Sequence, residues 1–332
     1  MKKLFLLSTI LLVLSCSSDD NGNNTTNPEV TIPVLTTSVA TNVTINGASS
    51  GGNITSNGGA NITARGVVWN TLPNPTISLT TKTTDGIGVG TFTSNITSLI
   101  PNTIYYVRAY ATNSAGTSYG NENTFTTVVD VTTGLIAFYP FNGNANDTSG
   151  NGNNGIVNGA LLTTDRNGTA NSSYSFSNGN NISIPMTQLL HNLPVRTFSC
   201  WFKMNNNQNG GRIIETTYLN GGISINNNVL DAWYNSGTRE CNVTNTSINL
   251  INEWHFLVYT TNSNNGEGKI YLDGNLVNSR TGGLFNAPQN WMNSFLRIGV
   301  GAQGEAINGK IDDIRIYNRL LNQSEISYLF NN

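Results

Sequence analysis

Two neighbouring carboxylates, Asp312 and Asp313, stand in the run Gly309-Lys310-Ile311-Asp312-Asp313-Ile314-Arg315-Ile316-Tyr317, which alternates like a half-buried strand. On a regular strand Asp312 shares a face with Ile314 and Ile316, and Asp313 shares one with Arg315 and Tyr317. The isoleucines belong in a core, so the Asp312 carboxylate is expected at or near it, where it needs a partner. One partner would be a structural Ca²⁺ ion, which takes about six to eight oxygen ligands. Asp147, Asn142 and the carbonyls of their Gly- and Asn-rich loop could complete such a site. The other partner would be a salt bridge, and a β-bulge would exchange the faces of Asp312 and Asp313.

A second set of residues suits sugar recognition. Trp233, Tyr234, Tyr218 and Trp291 lie among Asn and Gly. Sugars stack a C–H face on an aromatic ring while amides, carboxylates and backbone groups read the hydroxyls. Core packing is the other use of each ring. Catalytic chemistry has little support. Glu215, Glu240, Glu253, Glu267 and Glu305 are scattered singly, without the paired spacing that puts an acid and a nucleophile on one sugar. The two histidines, His191 and His255, form neither a metal motif nor a credible triad. The chain is therefore read as a non-enzyme.

The N-terminus carries a different chemistry. Lys2 and Lys3 precede an apolar stretch over residues 4–14, too short to span a bilayer comfortably. Val13-Leu14-Ser15-Cys16 then resembles a bacterial lipobox, with Leu14 bulkier than usual. The resemblance implies that residues 1–15 are a cleaved signal peptide and that Cys16 is acylated. Ser17-Ser18-Asp19-Asp20 resembles the acidic tether of Bacteroidota surface lipoproteins. Together these imply a chain lipid-anchored in the outer membrane and facing the cell exterior. Cys200 and Cys241 would sit in a non-reducing compartment, where a disulfide between them or a buried free thiol are both allowed.

The elements that must position these residues are nearly all strands. Only 10% of residues are charged and the net charge is −2, which leaves no electrostatic footprint for nucleic acid. Residues 16–33 are polar and read as a disordered tether. Residues 34–127 read as about seven short strands, among them Val43-Thr44-Ile45, Thr80-Thr81-Lys82 and Tyr105 to Thr112. Leu99-x-Pro101-x-Thr103-x-Tyr105-Tyr106-Val107-Arg108-Ala109 followed by Ala111-x-Asn113-x-x-Gly116 resembles the fibronectin type III pattern. That resemblance implies an immunoglobulin-like sandwich acting as a spacer, with the Tyr105 ring in its core. Residues 128–133 read as a linker.

Residues 134–332 are again all-β, with one terminal helix signalled by Asn322-Gln323-Ser324-Glu325, a capping box. Phe141-Asn142-Gly143-Asn144-Ala145-Asn146-Asp147-x-Ser149-Gly150-Asn151-Gly152-Asn153-Asn154-Gly155 opens the segment. Thr197-Phe198-Ser199-Cys200-Trp201-Phe202-Lys203, Trp254-His255, Ile270-Tyr271-Leu272-Asp273-Gly274 and Gly309 to Arg319 follow in order. This series resembles the laminin G-like jelly rolls of the concanavalin A-like lectin/glucanase superfamily. The superfamily holds lectins, glycanases and adhesion domains, so the fold alone does not fix the activity. The leading expectation is binding of a polysaccharide or glycoconjugate, with a protein-directed adhesin or structural surface protein as the alternative. The lipobox reading predicts that Cys16→Ser leaves the protein in the soluble fraction when cells are fractionated, because acyl chains would supply its membrane affinity.

Overall fold

The computed structural model describes residues 29–332 except 186, 188–189, 191–192, 207–210, 217–220, 227–228, 235–238, 244–248, 263, 282–294 and 302–303. Cys16, Tyr218 and Trp291 lie outside the described residues. The chain divides into two compact units. One holds residues up to Val43 with Gly47–Ser98 and Ile104–Phe125; the other holds Thr44–Asn46, Leu99–Thr103 and Thr126–Asn332.

The first unit contains β1 (Val34–Thr41), β2 (Ala48–Ser56), β3 (Ala64–Asn70), β4 (Gly90–Ile96), β5 (Ile104–Asn113), β6 (Gly116–Tyr119) and β7 (Asn123–Thr126). One sheet runs β1-β2-β4 and the other β3-β5-β6, with β7 also paired to β5. Along β5 every second residue is buried, and the Tyr105 ring stacks on Phe125 at 5.8 Å. Two expected strands differ. Val43-Thr44-Ile45 is irregular, because Asn42 adopts a left-handed φ of 49° and turns the chain out of β1. Residues 80–82 lie along β3 but make only one bridge, at Lys82. There the Thr83 hydroxyl accepts from Val67 N–H and takes a carbonyl's place in the ladder.

The second unit contains β8 (Leu135–Tyr139), β9 (Ile156–Asn158), β10 (Leu161–Thr163), β11 (Ser173–Phe176), β12 (Asn181–Pro185), β13 (Val195–Met204), β14 (Gly211–Thr216) and β15 (Gly221–Asn226). It continues through β16 (Val229–Tyr234), β17 (Arg239–Val243), β18 (Trp254–Asn262), β19 (Glu267–Leu272), β20 (Asn275–Arg280), β21 (Phe295–Ile298), β22 (Gly309–Tyr317) and α1 (Gln323–Asn331). An eight-stranded sheet runs β10-β11-β22-β13-β18-β19-β20 with β8 on β22, and a seven-stranded sheet runs β17-β16-β15-β14-β21-β12-β9. Between them lies the core, including Phe141, Phe176, Ile182, Phe202, Ile214, Ile223, Leu257, Ile298 and Ile314.

The eight-stranded sheet is buried on its other face too. Trp201, Phe256, Val258, Tyr271 and Tyr317 form a second apolar layer beneath Ile326, Leu329 and Phe330 of α1. The helix starts where the sequence places it: Asn322 Oδ1 accepts from Glu325 N–H, and Glu325 accepts from Asn322 N–H. Residues 130–133, expected as part of a linker, are fastened to this unit. Arg319 donates to the carbonyls of Asp130 and Thr133, and the Tyr317 hydroxyl donates to Val131.

Strand β22 carries the bulge that the Asp-Asp pair allowed. Ser199 stands opposite Arg315 and Trp201 opposite Asp312, so three steps on β22 match two on β13, with Asp313 at a φ of 49°. The extra residue moves Asp312 off the face of Ile314 and Ile316 and onto that of Trp201. It is 2% exposed there and paired with Arg166 at 3.3 Å, while Asp313 takes the same guanidinium at 2.6 Å. Burial and the Asp313 carboxylate push the Asp312 carboxyl up to about 8 against the pull of Arg166.

Asp147 has a different duty. One carboxylate oxygen accepts from the N–H groups of Phe138 and Ser149, and the other accepts from Asn153 N–H. The loop is thereby pinned along the edge of β8, helped by Asn151 and Asn153 amides donating to Ile136 O. N–H donors facing both oxygens of Asp147, and a guanidinium on Asp312, do not fit a cation site. Among the described residues no three His, Cys, Asp or Glu gather to hold a metal, and Asn142 is exposed. Cys200 is a free thiol buried in the core, its pKa raised by burial and by Asp312, rather than half of a bridge. The Cys241 side chain lies outside the described residues.

Burial pushes the Asp147 carboxyl up, but the Phe138, Ser149 and Asn153 donors hold it below its ordinary range. Its stabilisation is therefore present above the ordinary carboxylate pKa and lost as pH falls through the lowered value. Asp147→Ala should cost about 1–3 kcal/mol in a denaturation experiment by orphaning those N–H groups. EDTA and added Ca²⁺ should leave wild-type melting unchanged; a Ca²⁺-dependent rise that Asp147→Ala abolishes would restore the ion.

His255 Nδ1 meets Asp273 Oδ2 at 2.8 Å and Nε2 meets the Asn249 carbonyl at 2.9 Å. Both partners are acceptors, so the ring serves them only as the imidazolium. Burial lowers its pKa, but the Asp273 bond and charge and the Asn249 carbonyl outweigh this and raise it. The contribution is thus complete below the ordinary imidazole pKa of about 6.5 and lost as pH rises through the raised value. Melting temperatures between mildly acidic and alkaline pH should show this loss, roughly 1–2 kcal/mol, in wild type and not in Asp273→Asn.

Candidate functional site

With α1 covering the outer face of the eight-stranded sheet, the outer face of the seven-stranded sheet is the other broad surface of the jelly roll. Alternation decides what it presents. Leu296 and Ile298 of β21 and Ile182 and Ile184 of β12 pack into the core. Phe295, Arg297, Asn181, Ser183 and Pro185 therefore share the opposite face. Strand register aligns Ile156, Ser183, Arg297, Glu215 and Gly222 in one row across five strands.

Sequence reasoning placed Trp233 and Tyr234 in this region, and β16 includes both. Trp233 stands opposite Gly222, which puts it in the same row as Arg297, and Tyr234 stands opposite Gly221. The side chains of both lie outside the described residues.

A second row joins Arg212, Ser224 and Asp231. Ser224 and Asp231 are buried, and the Asn226 amide donates to Asp231 Oδ2 at 3.2 Å. Arg212 links the rows: its Nε donates to Glu215 Oε2 at 2.7 Å and its Nη2 to Glu305 Oε1 at 3.0 Å. Glu215 has no exposed surface, so its charge depends on that guanidinium. Gly301 makes the cluster fit, since a Cβ there would lie 2.6 Å from Glu305 Oε2 and 2.7 Å from Glu215 Oε2.

The opposite flank is a smaller amide net. Asn158 Nδ2 donates to Asn181 Oδ1 and to Ser183 Oγ, and Ser183 Oγ donates to Asn181 Oδ1. Phe295 is exposed and Ile156 more so. The arrangement combines a flat apolar ring, amides and hydroxyls, and charged groups. It has the donor and acceptor range to read sugar hydroxyls. Both Glu215 and Glu305 are committed to Arg212, which suits a fixed strut better than a mobile acid and base.

Arg212, Glu215, Arg297, Phe295, Asp231 and Glu305 were missed as a group. The signal was the alternation of Leu230-Asp231-Ala232-Trp233 and Phe295-Leu296-Arg297-Ile298. Which strands lie side by side was not available from either run. Of the residues expected to hold Ca²⁺, Asp147 and Asp312 have the separate protein partners described above.

No helix among the described residues is long and apolar enough to cross a membrane. None of the curated proteins matches the chain in sequence. Among solved structures, domain 4 of AbnA, a GH43 extracellular arabinanase from Geobacillus stearothermophilus solved with arabinotriose, is 21% identical with a TM-score of 0.47. That match covers 59% of this chain and 97% of that one. The receptor-binding domain of botulinum neurotoxin mosaic serotype C/D is 18% identical with a TM-score of 0.48, over 61% of this chain and 51% of that one. The binding domain of Paraclostridial Mosquitocidal Protein 1 is 20% identical with a TM-score of 0.49, over 61% and 53%. Residues 176–327 match the family model Laminin_G_3 of the concanavalin A-like lectin/glucanases superfamily, and this part of the chain folds as a concanavalin A-like jelly roll.

Proposed function

We propose that the protein is a non-catalytic carbohydrate-binding protein of the bacterial surface, and that the outer face of the seven-stranded sheet takes the glycan. The observation that carries the reading is the row containing Ser183, Arg297 and Glu215, with Phe295 exposed on the same face and Trp233 at the row's far end. The lectin/glucanase family match over residues 176–327 supports it. On this reading the first unit is a fibronectin type III-like spacer. Residues 1–33 supply a signal peptide, an acylated Cys16 and a tether that hold the chain on the outer membrane, facing outward. Arg212 occupies the Glu215 and Glu305 carboxylates, which supports binding over hydrolysis.

The test is a glycan array with the full-length chain, followed by titration of whichever polysaccharide binds. Phe295→Ala and Trp233→Ala should each weaken binding by about 1–3 kcal/mol, in the manner of a lost aromatic anchor, while the melting temperature holds. Absence of binding to any polysaccharide would overturn the reading and favour a protein-directed adhesin.

A further inference from the structure

We infer that the glycan is acidic, and that Arg297 is the residue that recognises its anionic group. The inference rests on the carbohydrate reading and names the class of sugar. Most arginines described in this unit are committed. Arg166 holds Asp312 and Asp313, Arg212 holds Glu215 and Glu305, and Arg319 holds Glu325. The Arg315 guanidinium lies 3.9 Å from the Phe138 ring centre. The half-buried Arg297 side chain makes neither an ion pair nor a hydrogen bond among the described residues.

That freedom is notable because a carboxylate stands beside it. Glu215 is the cross-strand partner of Arg297 on the same face, where Cβ atoms lie about 5 Å apart. Arg212 takes the Glu215 carboxylate instead. The sheet thus presents a planar fork of N–H donors, partly withdrawn from water, with no anion among the described residues paired to it. Such a fork matches a carboxylate or sulfate in two-point geometry, which an ammonium cannot reproduce. Phe295 lies two residues away on the same face, about 7 Å along the strand. The Asn158, Asn181 and Ser183 net flanks the other side. One sugar residue can stack on the ring and direct its acidic substituent to the guanidinium. The Arg212 cluster, with two carboxylates on one guanidinium, rejects anions from the neighbouring row and confines them to Arg297.

The experiment titrates the full-length chain with two matched pairs: polygalacturonate against its methyl ester, and dextran sulfate against dextran. The first pair isolates a carboxylate and the second a sulfate. Wild type should bind one charged member roughly 10- to 100-fold more tightly than its neutral partner, the range of a hydrogen-bonded charge. Added salt should weaken that member alone. Arg297→Gln should erase the preference with an unchanged melting temperature, because the side chain has no ion-pair or hydrogen-bond partner among the described residues. Arg297→Lys should restore only part of it. Equal binding of charged and neutral members, or a preference that survives Arg297→Gln, overturns the inference and leaves the carbohydrate reading standing. No binding to any of the four, with none on the array, overturns both.

Discussion

The indole of Trp201 lies between the Arg166 guanidinium, 4.7 Å from its ring centre, and the Phe330 ring, 5.7 Å away. That stack fastens α1 over the eight-stranded sheet, and much of the molecule's logic depends on it. Arg166 also reaches the Asn332 carbonyl, so the helix is held at its C-terminal end as well as by its capping box. Once the helix is seated, the sheet has apolar layers on both faces and offers no broad surface to a ligand. The bulge at Asp313 belongs to the same device. It turns Asp312 toward the guanidinium that Asp313 also holds, beside the buried indole. The arrangement leaves a cost, since Trp201 Nε1 is buried without a hydrogen-bond partner among the described residues.

The seven-stranded sheet solves the opposite problem. Its outer face carries buried charge, Glu215 and Asp231 among it. Burying Glu215 costs several kcal/mol unless it is paired and hydrogen-bonded, and Arg212 supplies that. Such clusters add little net stability over an apolar equivalent. They do fix geometry, because each partner's departure would strand a charge. A rigid polar floor of this kind holds neighbouring groups in place before a ligand arrives, which lowers the ordering cost of binding. Arg297 gains most, since its neighbouring carboxylate is kept occupied elsewhere.

Much of this was legible in the sequence because strand parity is local. The run around Trp201 alternates, Asp273-Gly274 adopts the two positive φ values of a tight hairpin, and Asn322 with Glu325 announces the helix. The runs quoted around residues 197–203, 254–255, 270–272 and 309–317 all lie in strands. What parity could not supply was which strands become neighbours. Glu215, Glu305 and Arg212 are distant or unremarkable in sequence, and they meet only because β14 lies beside β21 and a turn brings Gly301 underneath. Asp312 shows the converse limit. Its face was derived from a regular strand, and one inserted residue reversed it. Val43 to Ile45 failed for a related reason, since one left-handed asparagine outweighed three residues of good strand propensity.

The composition and the site bear on each other. A chain with 16 Lys and Arg and 18 Asp and Glu in 332 residues has little long-range field with which to steer an anion. An acidic polymer would approach it without much attraction, and recognition would have to occur at contact, through one guanidinium and one ring. Contacts of that number give modest affinity at a single site. A polymer offers the same motif many times, and proteins tethered to one surface offer many sites. Under those conditions the second contact is intramolecular, and avidity rises by orders of magnitude without any new interaction. A site of one guanidinium and one ring is thus suited to a ligand that presents its motif repeatedly, whereas a ligand met once would require more contacts.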